Sequence, residues 1–179
     1  MGYYSKMYAY EPFVDQDNVE KIAVFNEVAD FLNKGMQDED AKNLSDYAKS
    51  LVNELKKITS ERQVSLSEAQ YYFSYGLSSE GYVVCDEDNN SENGEECWAK
   101  HRAHEILALL LSLVADFAGA LRFIGEDGEF WGYFVNPKRR GKPYIMSEMP
   151  VYFEENGTVL RVIGGDIKER VYRLDESAH

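Results

Sequence analysis

Hydrophobic positions change their period along this chain, and the changes mark its elements. Residues 1–10 are dense in Tyr with Lys6 interleaved, the pattern of a strand with aromatic side chains on both faces. From Asp17 the spacing is helical: Asp17 and Glu20 make a capping-box-like start, Val19, Ile22, Phe25, Val28 and Leu32 form a stripe, and Gly35 stands where a C-cap glycine belongs. Ala41, Leu44, Ala48, Leu51, Leu55 and Ile58 alternate spacings of three and four, one narrow seam of a second helix. Internal packing against the first helix accounts for that seam, since a coiled coil needs more turns. Ser65 and Glu68 predict a short third helix through Tyr75, stopped by Gly76. Residues 77–96 read as a loop interrupted by the strand-like run Tyr82-Val83-Val84. Asn93 and Glu96 then offer a cap for a fourth helix, from about Gly94 to Phe117. Its stretch Ile106 to Ala115 is apolar on nearly every side, as in a central buried helix, and is too short to cross a bilayer.

From Gly119 the period is that of strands. Ala120 to Ile124 and Glu129 to Val135 flank Gly125-Glu126-Asp127-Gly128, and Val151 to Glu154 and Thr158 to Ile163 flank Asn156-Gly157. Both are hairpin signals, because Asp-Gly and Asn-Gly tolerate positive φ. Pro137 to Pro143, with Lys138, Arg139, Arg140 and Lys142, reads as a solvated basic turn, and Arg170 to Leu174 as a last strand. The expected architecture is α+β: about four helices packed on a mainly antiparallel sheet of five or six strands. A single domain, 1–179, is expected, helical over about 15–118 and strand-rich over 1–10 and 119–175. The length of 179 residues suffices for a core without staples.

Charge changes the picture more than composition does. The chain is 44% hydrophobic with thirteen Tyr, too rich in large side chains to stay unfolded despite a net charge of −13. Residues 1–60 net −4, residues 61–118 net −8 and residues 119–179 net −1. Such a surface repels phosphate backbones and anionic lipid, which disfavours direct nucleic-acid or membrane binding. The same deficit of cations speaks against a helix-turn-helix reading of the middle segment. The sequence starts without a charged n-region or apolar run of the signal-peptide kind, so a soluble, cytoplasmic location is expected, that of the host cell if the protein is viral.

Cys85, Cys97, His101 and His104 fall within twenty residues, beside a run holding Asp86, Glu87, Asp88, Glu92, Glu95 and Glu96 and no base. On a helix, Cys97, His101 and His104 would share one face, and Cys85 could complete a Cys2His2 set for zinc. The eleven residues between the cysteines depart from finger spacing, and a Cys85–Cys97 disulfide is the alternative where the compartment oxidises. Asp86, Asp88 and Asn90 begin like a calcium loop, but Ser91 stands where glycine is needed and Cys97 where the closing Glu belongs. Glu126, Asp127 and Glu129 crowd a predicted hairpin tip without a third anchored ligand. No phosphate loop, dinucleotide fingerprint or nucleophile elbow occurs.

Met1-Gly2-Tyr3-Tyr4-Ser5, together with Gly125-Glu126-Asp127-Gly128-Glu129-Phe130-Trp131, resembles a group of small uncharacterised bacteriophage and prophage proteins. The likeness covers about 30 residues. It implies a viral or mobile-element origin and a sheet in which the N-terminal strand joins the C-terminal hairpins, and it transfers no catalytic residue. The functional expectation is a non-enzymatic acidic binding protein, an inhibitor that engages a basic, nucleic-acid-handling partner as a nucleic-acid mimic. Its partner surface is expected at Asp86, Glu87, Asp88, Glu92, Glu95 and Glu96, with no cofactor. The alternatives are a small zinc-stabilised protein built on Cys85, Cys97, His101 and His104, and an enzyme using Glu126, Asp127, Glu129 or the histidines.

Overall fold

The computed structural model describes residues 4–67, 72–85, 90–91, 94–98, 102–146, 152–153, 158–163 and 166–171. Its architecture is α+β. Chain order is β1 (Tyr4–Tyr8), α1 (Val19–Asn33), α2 (Asp38–Lys42), α3 (Asp46–Glu61), β2 (Tyr75–Leu77), β3 (Val83–Cys85), β4 (Asn90–Ser91), β5 (Gly94–Trp98), α4 (Ala103–Val114), β6 (Gly119–Gly125), β7 (Phe130–Val135), β8 (Tyr144–Met146), β9 (Tyr152–Phe153), β10 (Thr158–Ile163) and β11 (Asp166–Val171). A 3-10 turn at Pro137–Arg139 lies between β7 and β8. The strands are divided over three sheets instead of gathered in one: six strands in the order β4-β5-β1-β6-β7-β8, three in the order β11-β10-β9, and the pair β2-β3. Every pairing among them is antiparallel.

The N-terminal strand takes a central place in the six-stranded sheet. Ser5 and Met7 on β1 are buried, whereas Lys6 and Tyr8 are half-buried, as a period of two requires. Leu121 and Phe123 of β6 join Met7 in the main core, and Ala120, Phe134 and Tyr144 form a small separate cluster on the opposite face. Every residue of α4 is buried. It packs on β7 on one side and on α1 and α3 on another, so the molecule is layered as helices, central helix and sheet. The seam of α3, Ala48, Leu51, Val52 and Leu55, is spent internally, with α1 as a neighbour.

Four departures from the sequence expectations have local causes. The first helix is capped by Asn18, whose side chain accepts from Lys21 N, while Asp17 donates its own N–H to Asp15. The second helix is broken between Lys42 and Asp46: Ser45 accepts from Ala48 N as a new N-cap, and Glu27 of α1 accepts from both the amide and the hydroxyl of Ser45. The expected third helix does not reach Tyr75, because Tyr75–Leu77 is strand β2. Asn26 of α1 accepts from Leu77 N and donates to Leu77 O, supplying both bonds that a neighbouring strand would; residues 68–71 lie outside the described residues. The expected helix from Gly94 is strand β5 as far as Trp98, registered with β1 through Tyr4↔Trp98, Ser5↔Cys97, Lys6↔Glu96 and Met7↔Glu95. Among the described residues, α4 then starts at Ala103, directly after Arg102 with φ 58.

The segment from Phe13 to Asp15 is a crossing point for three parts of the chain. Phe13 N donates to Gly81 O, and Phe13 O accepts from Asp116 N and Phe117 N. Asp116 accepts from Asp15 N and pairs with Lys21 at 2.6 Å. Gly81 has φ +85, and a β carbon there would stand 2.9 Å from the carbonyl carbon of Val14 and closer still to its oxygen. Gly81→Ala is therefore expected to destabilise the fold by about 3 kcal/mol or more, read from denaturant midpoints at unchanged m.

Partial burial tends to raise the Asp116 carboxyl, but hydrogen bonds from Lys21 and Asp15 outweigh it and hold the pKa below the ordinary 3.8. A depressed folded-state value stabilises the fold above the unfolded pKa, and that stability is lost as pH falls through the folded one. Asp116→Asn should cost about 1–2 kcal/mol at neutral pH, and its stability curve should fall less steeply than the parent's below pH 3.8.

Candidate functional site

The acid-rich segment leaves β3 at Cys85 and returns on β5. Asp86, Glu87, Asp88 and Glu92 lie outside the described residues; Glu95 and Glu96 lie on β5, opposite Met7 and Lys6 of β1. Asn90 is a strand residue paired with Glu95, and β4 forms the edge of the six-stranded sheet. Elsewhere, exposed carboxylates are carried by α1 (Glu20, Asp30), α2 (Asp38, Glu39), α3 (Asp46, Glu61) and the β6–β7 turn (Glu126, Asp127, Glu129). The acidic character of the protein is thus wider than residues 86–96. Asp127 accepts from Glu129 N at 2.9 Å, so these acids do form a hairpin tip.

The cysteine and histidine set is not assembled as a helical face. Cys97 is on β5, six positions before α4 begins, and His101 lies outside the described residues. Cys85 is buried and disulfide-bonded, and Cys97 is the only other cysteine. His104 is buried, its ring stacked on Phe123 at 3.9 Å. Trp131 Nε1 donates to His104 Nδ1 at 3.1 Å, and Ser5 Oγ lies 3.4 Å from Nε2. Indole N–H can only donate, so Nδ1 is the acceptor and the ring proton falls on Nε2, facing Ser5. Neither Cys85 nor His104 then offers a lone pair to a cation. Among the described residues, no group of three or more His, Cys, Asp or Glu is placed to hold a metal.

Beside His104 the apolar helix carries a buried carboxylate, Glu105. Arg62, at the end of α3, donates from Nε at 3.0 Å, and Arg102 donates from Nε at 2.6 Å. Two cations on one buried carboxylate offset its desolvation, and its first-turn position faces the positive end of the helix dipole. Arg102, with a left-handed backbone, immediately precedes α4, and its guanidinium returns to Glu105. A single acid just before the run Ile106 to Ala115 was the sequence signal for this pair, because a charge entering a fully buried helix needs a partner.

An open recess of about 340 Å³ adjoins these groups. It is lined by Arg102, His104 and Glu105 from the start of α4 and by Glu129, Trp131 and Tyr133 from the β6–β7 turn and β7. Burial, and after it the Glu105 carboxylate, push the Tyr133 phenol well above its ordinary pKa. Burial does the same to Tyr75, which meets the edge of the His104 ring. Both phenols stay protonated at neutral pH, His104 is held at both nitrogens, and Glu105 is paired twice. Of these groups His104 and Glu105 are already engaged, and the exposed carboxylate on the recess is Glu129. The recess offers two aromatic rings and the exposed Glu129, beside an Arg102 guanidinium that Glu105 neutralises.

No family model, curated protein or solved structure matches the chain. No helix among the described residues is long and apolar enough to cross a membrane.

Closing residues 85–97 into a loop restricts the unfolded chain by about 3 kcal/mol. Reduction, or Cys85→Ser, is expected to lower Tm accordingly, while a chelator leaves Tm unchanged and metal analysis of the purified protein finds no stoichiometric zinc. A Tm lowered by the chelator would restore a metal reading.

Proposed function

We propose that this chain is a non-enzymatic acidic binding protein that engages a basic protein partner, one that handles nucleic acid and whose phosphate-reading surface the carboxylates imitate. The observation that carries this reading is the run from Asp86 to Glu96, six acids with no base, joined to ordered structure on both sides. On one side β3 ends at the disulfide-bonded Cys85; on the other β5 is hydrogen-bonded to β1. Both flanks are thus fixed points from which the segment's charge can be presented to a partner. Opposite charge on the two surfaces speeds encounter and selects against acidic competitors.

The non-enzymatic part of the reading is supported by the polar groups around His104 and Glu105, which are committed to one another. Glu129, Trp131 and Tyr133 give a second point of attachment for a lysine or arginine of the same partner. The likeness to bacteriophage and prophage proteins favours an inhibitor carried by a mobile element and acting in the host cytoplasm. In that reducing compartment the disulfide would be labile, leaving the β2-β3 and β1-β5 pairings to flank the acidic segment.

A basic protein retained by the purified chain at low salt and released at high salt is the expected result, with affinity then measured on the isolated pair. Asp86→Asn, Glu87→Gln and Asp88→Asn together should weaken that affinity about ten-fold. Unchanged affinity would remove the segment from the interface, and salt-independent binding would remove the electrostatic reading altogether.

A further inference from the structure

We propose that the ledge between the end of α3 and the 139–142 turn binds a compact phosphate-class anion, a phosphomonoester on a small molecule. This inference stands apart from the acidic-partner reading and uses the opposite face of the charge pattern. In a chain of net charge −13, four cations line one recess of about 240 Å³: Arg62 from α3 and Arg139, Arg140 and Lys142 from the turn. Glu61 is the carboxylate on the lining itself, and Glu105 and Glu54 pair with Arg62 and Arg140 from beside it, so the four cations face three carboxylates.

The turn is built, not the solvated loop its composition suggests. Asn136 is buried, its side chain accepts from Lys138 N and its carbonyl from Arg139 N; Lys142 N donates to Arg139 O. Gly141 has φ +74 and lies so close to α3 that a β carbon would stand 2.9 Å from Ile58 Cδ1. Arg140 donates to Leu113 O at the end of α4 and pairs with Glu54 at 2.7 Å. The Arg139 guanidinium lies 3.9 Å over the Tyr144 ring and donates to its hydroxyl. Arg62 is held at Nε by Glu105. Three guanidinium groups are therefore fixed in place before any ligand arrives, which removes much of the ordering cost of binding.

Planar guanidinium forks match the oxygens of a phosphoryl group, and a strongly charged anion gains most from several of them together. The size of the recess selects a small ligand. The surrounding charge selects against a long one: attraction is local, screened within roughly 8 Å at physiological salt, while an extended polyanion meets the acidic remainder of the surface.

The test is a titration of the full chain with inorganic phosphate and with glycerol 3-phosphate, followed by amide chemical shifts, against sodium chloride at matched ionic strength. Saturable shifts centred on Arg140 to Lys142, absent with chloride, are expected, with Lys142→Ala and Arg139→Gln each weakening binding several-fold. Lys142 is exposed, so its variant keeps the test valid should Arg139→Gln unfold the turn. Equal shifts with chloride, or binding unchanged in Lys142→Ala, would overturn the site. Phosphatidylcholine vesicles with and without phosphatidic acid separate the two sources of the phosphate group: no sedimentation is expected with either, and acid-dependent sedimentation would overturn the small-molecule assignment.

Discussion

A helix with no solvent-facing side must be covered on every side, and α4 sets that demand for the whole molecule. Its twelve residues from Ala103 to Val114 are all buried. The sheet covers one side and α1 and α3 another, so β1 must reach the middle of the sheet from the far end of the chain. The polar side chains that α4 itself carries inward are answered locally. Ser112 donates to Leu109 O within the helix, His104 meets Trp131 and Ser5, and Glu105 meets Arg62 and Arg102. An unanswered buried charge would cost more than most single packing defects. The left-handed residue at Arg102 and the position of Arg62 at the end of α3 are consequences of the same demand.

The elements whose pattern is long and self-consistent were legible from residues alone. The stripe of α1, the internal seam of α3, the buried run of α4 and the hairpin around Gly125 to Gly128 all follow from periodicity and turn chemistry. Illegible were the places where tertiary pairing outbids a local signal. Asn93 and Glu96 look like a helix start, yet pairing with β1 satisfies the backbone of Gly94–Trp98 in another way. Tyr75 looks like the end of a helix, yet Asn26 supplies strand-like hydrogen bonds to Leu77. The cysteine and histidine cluster was visible as a cluster but not as geometry, because a helical face was assumed where a strand forms. The basic turn was visible as charge only; its anchoring by Asn136, Gly141 and Arg140 depends on α3 and α4 and leaves no trace in the local sequence.

Charge is sorted in this molecule at two scales. The chain carries a net charge of −13, and several described cations are tied to specific carboxylates: Lys21 to Asp116, Lys34 to Asp30, Arg62 and Arg102 to Glu105, Arg140 to Glu54. Many of these pairs join elements distant in sequence, and they act more as registration marks than as stores of energy, since half-exposed pairs contribute little. A net field of one sign and a local pocket of the other are compatible, because solvent ions screen the first over distances longer than the second spans.

A sheet that ends in an open strand is a template for stacking further copies of itself. Here one border of the six-stranded sheet is β4, only two residues long, with Asp88 and Glu92 close by in the chain. So short a border gives an incoming strand very few rungs to grip, and like-charged neighbours push it away. The chain thereby discourages edgewise growth into fibrils at that border.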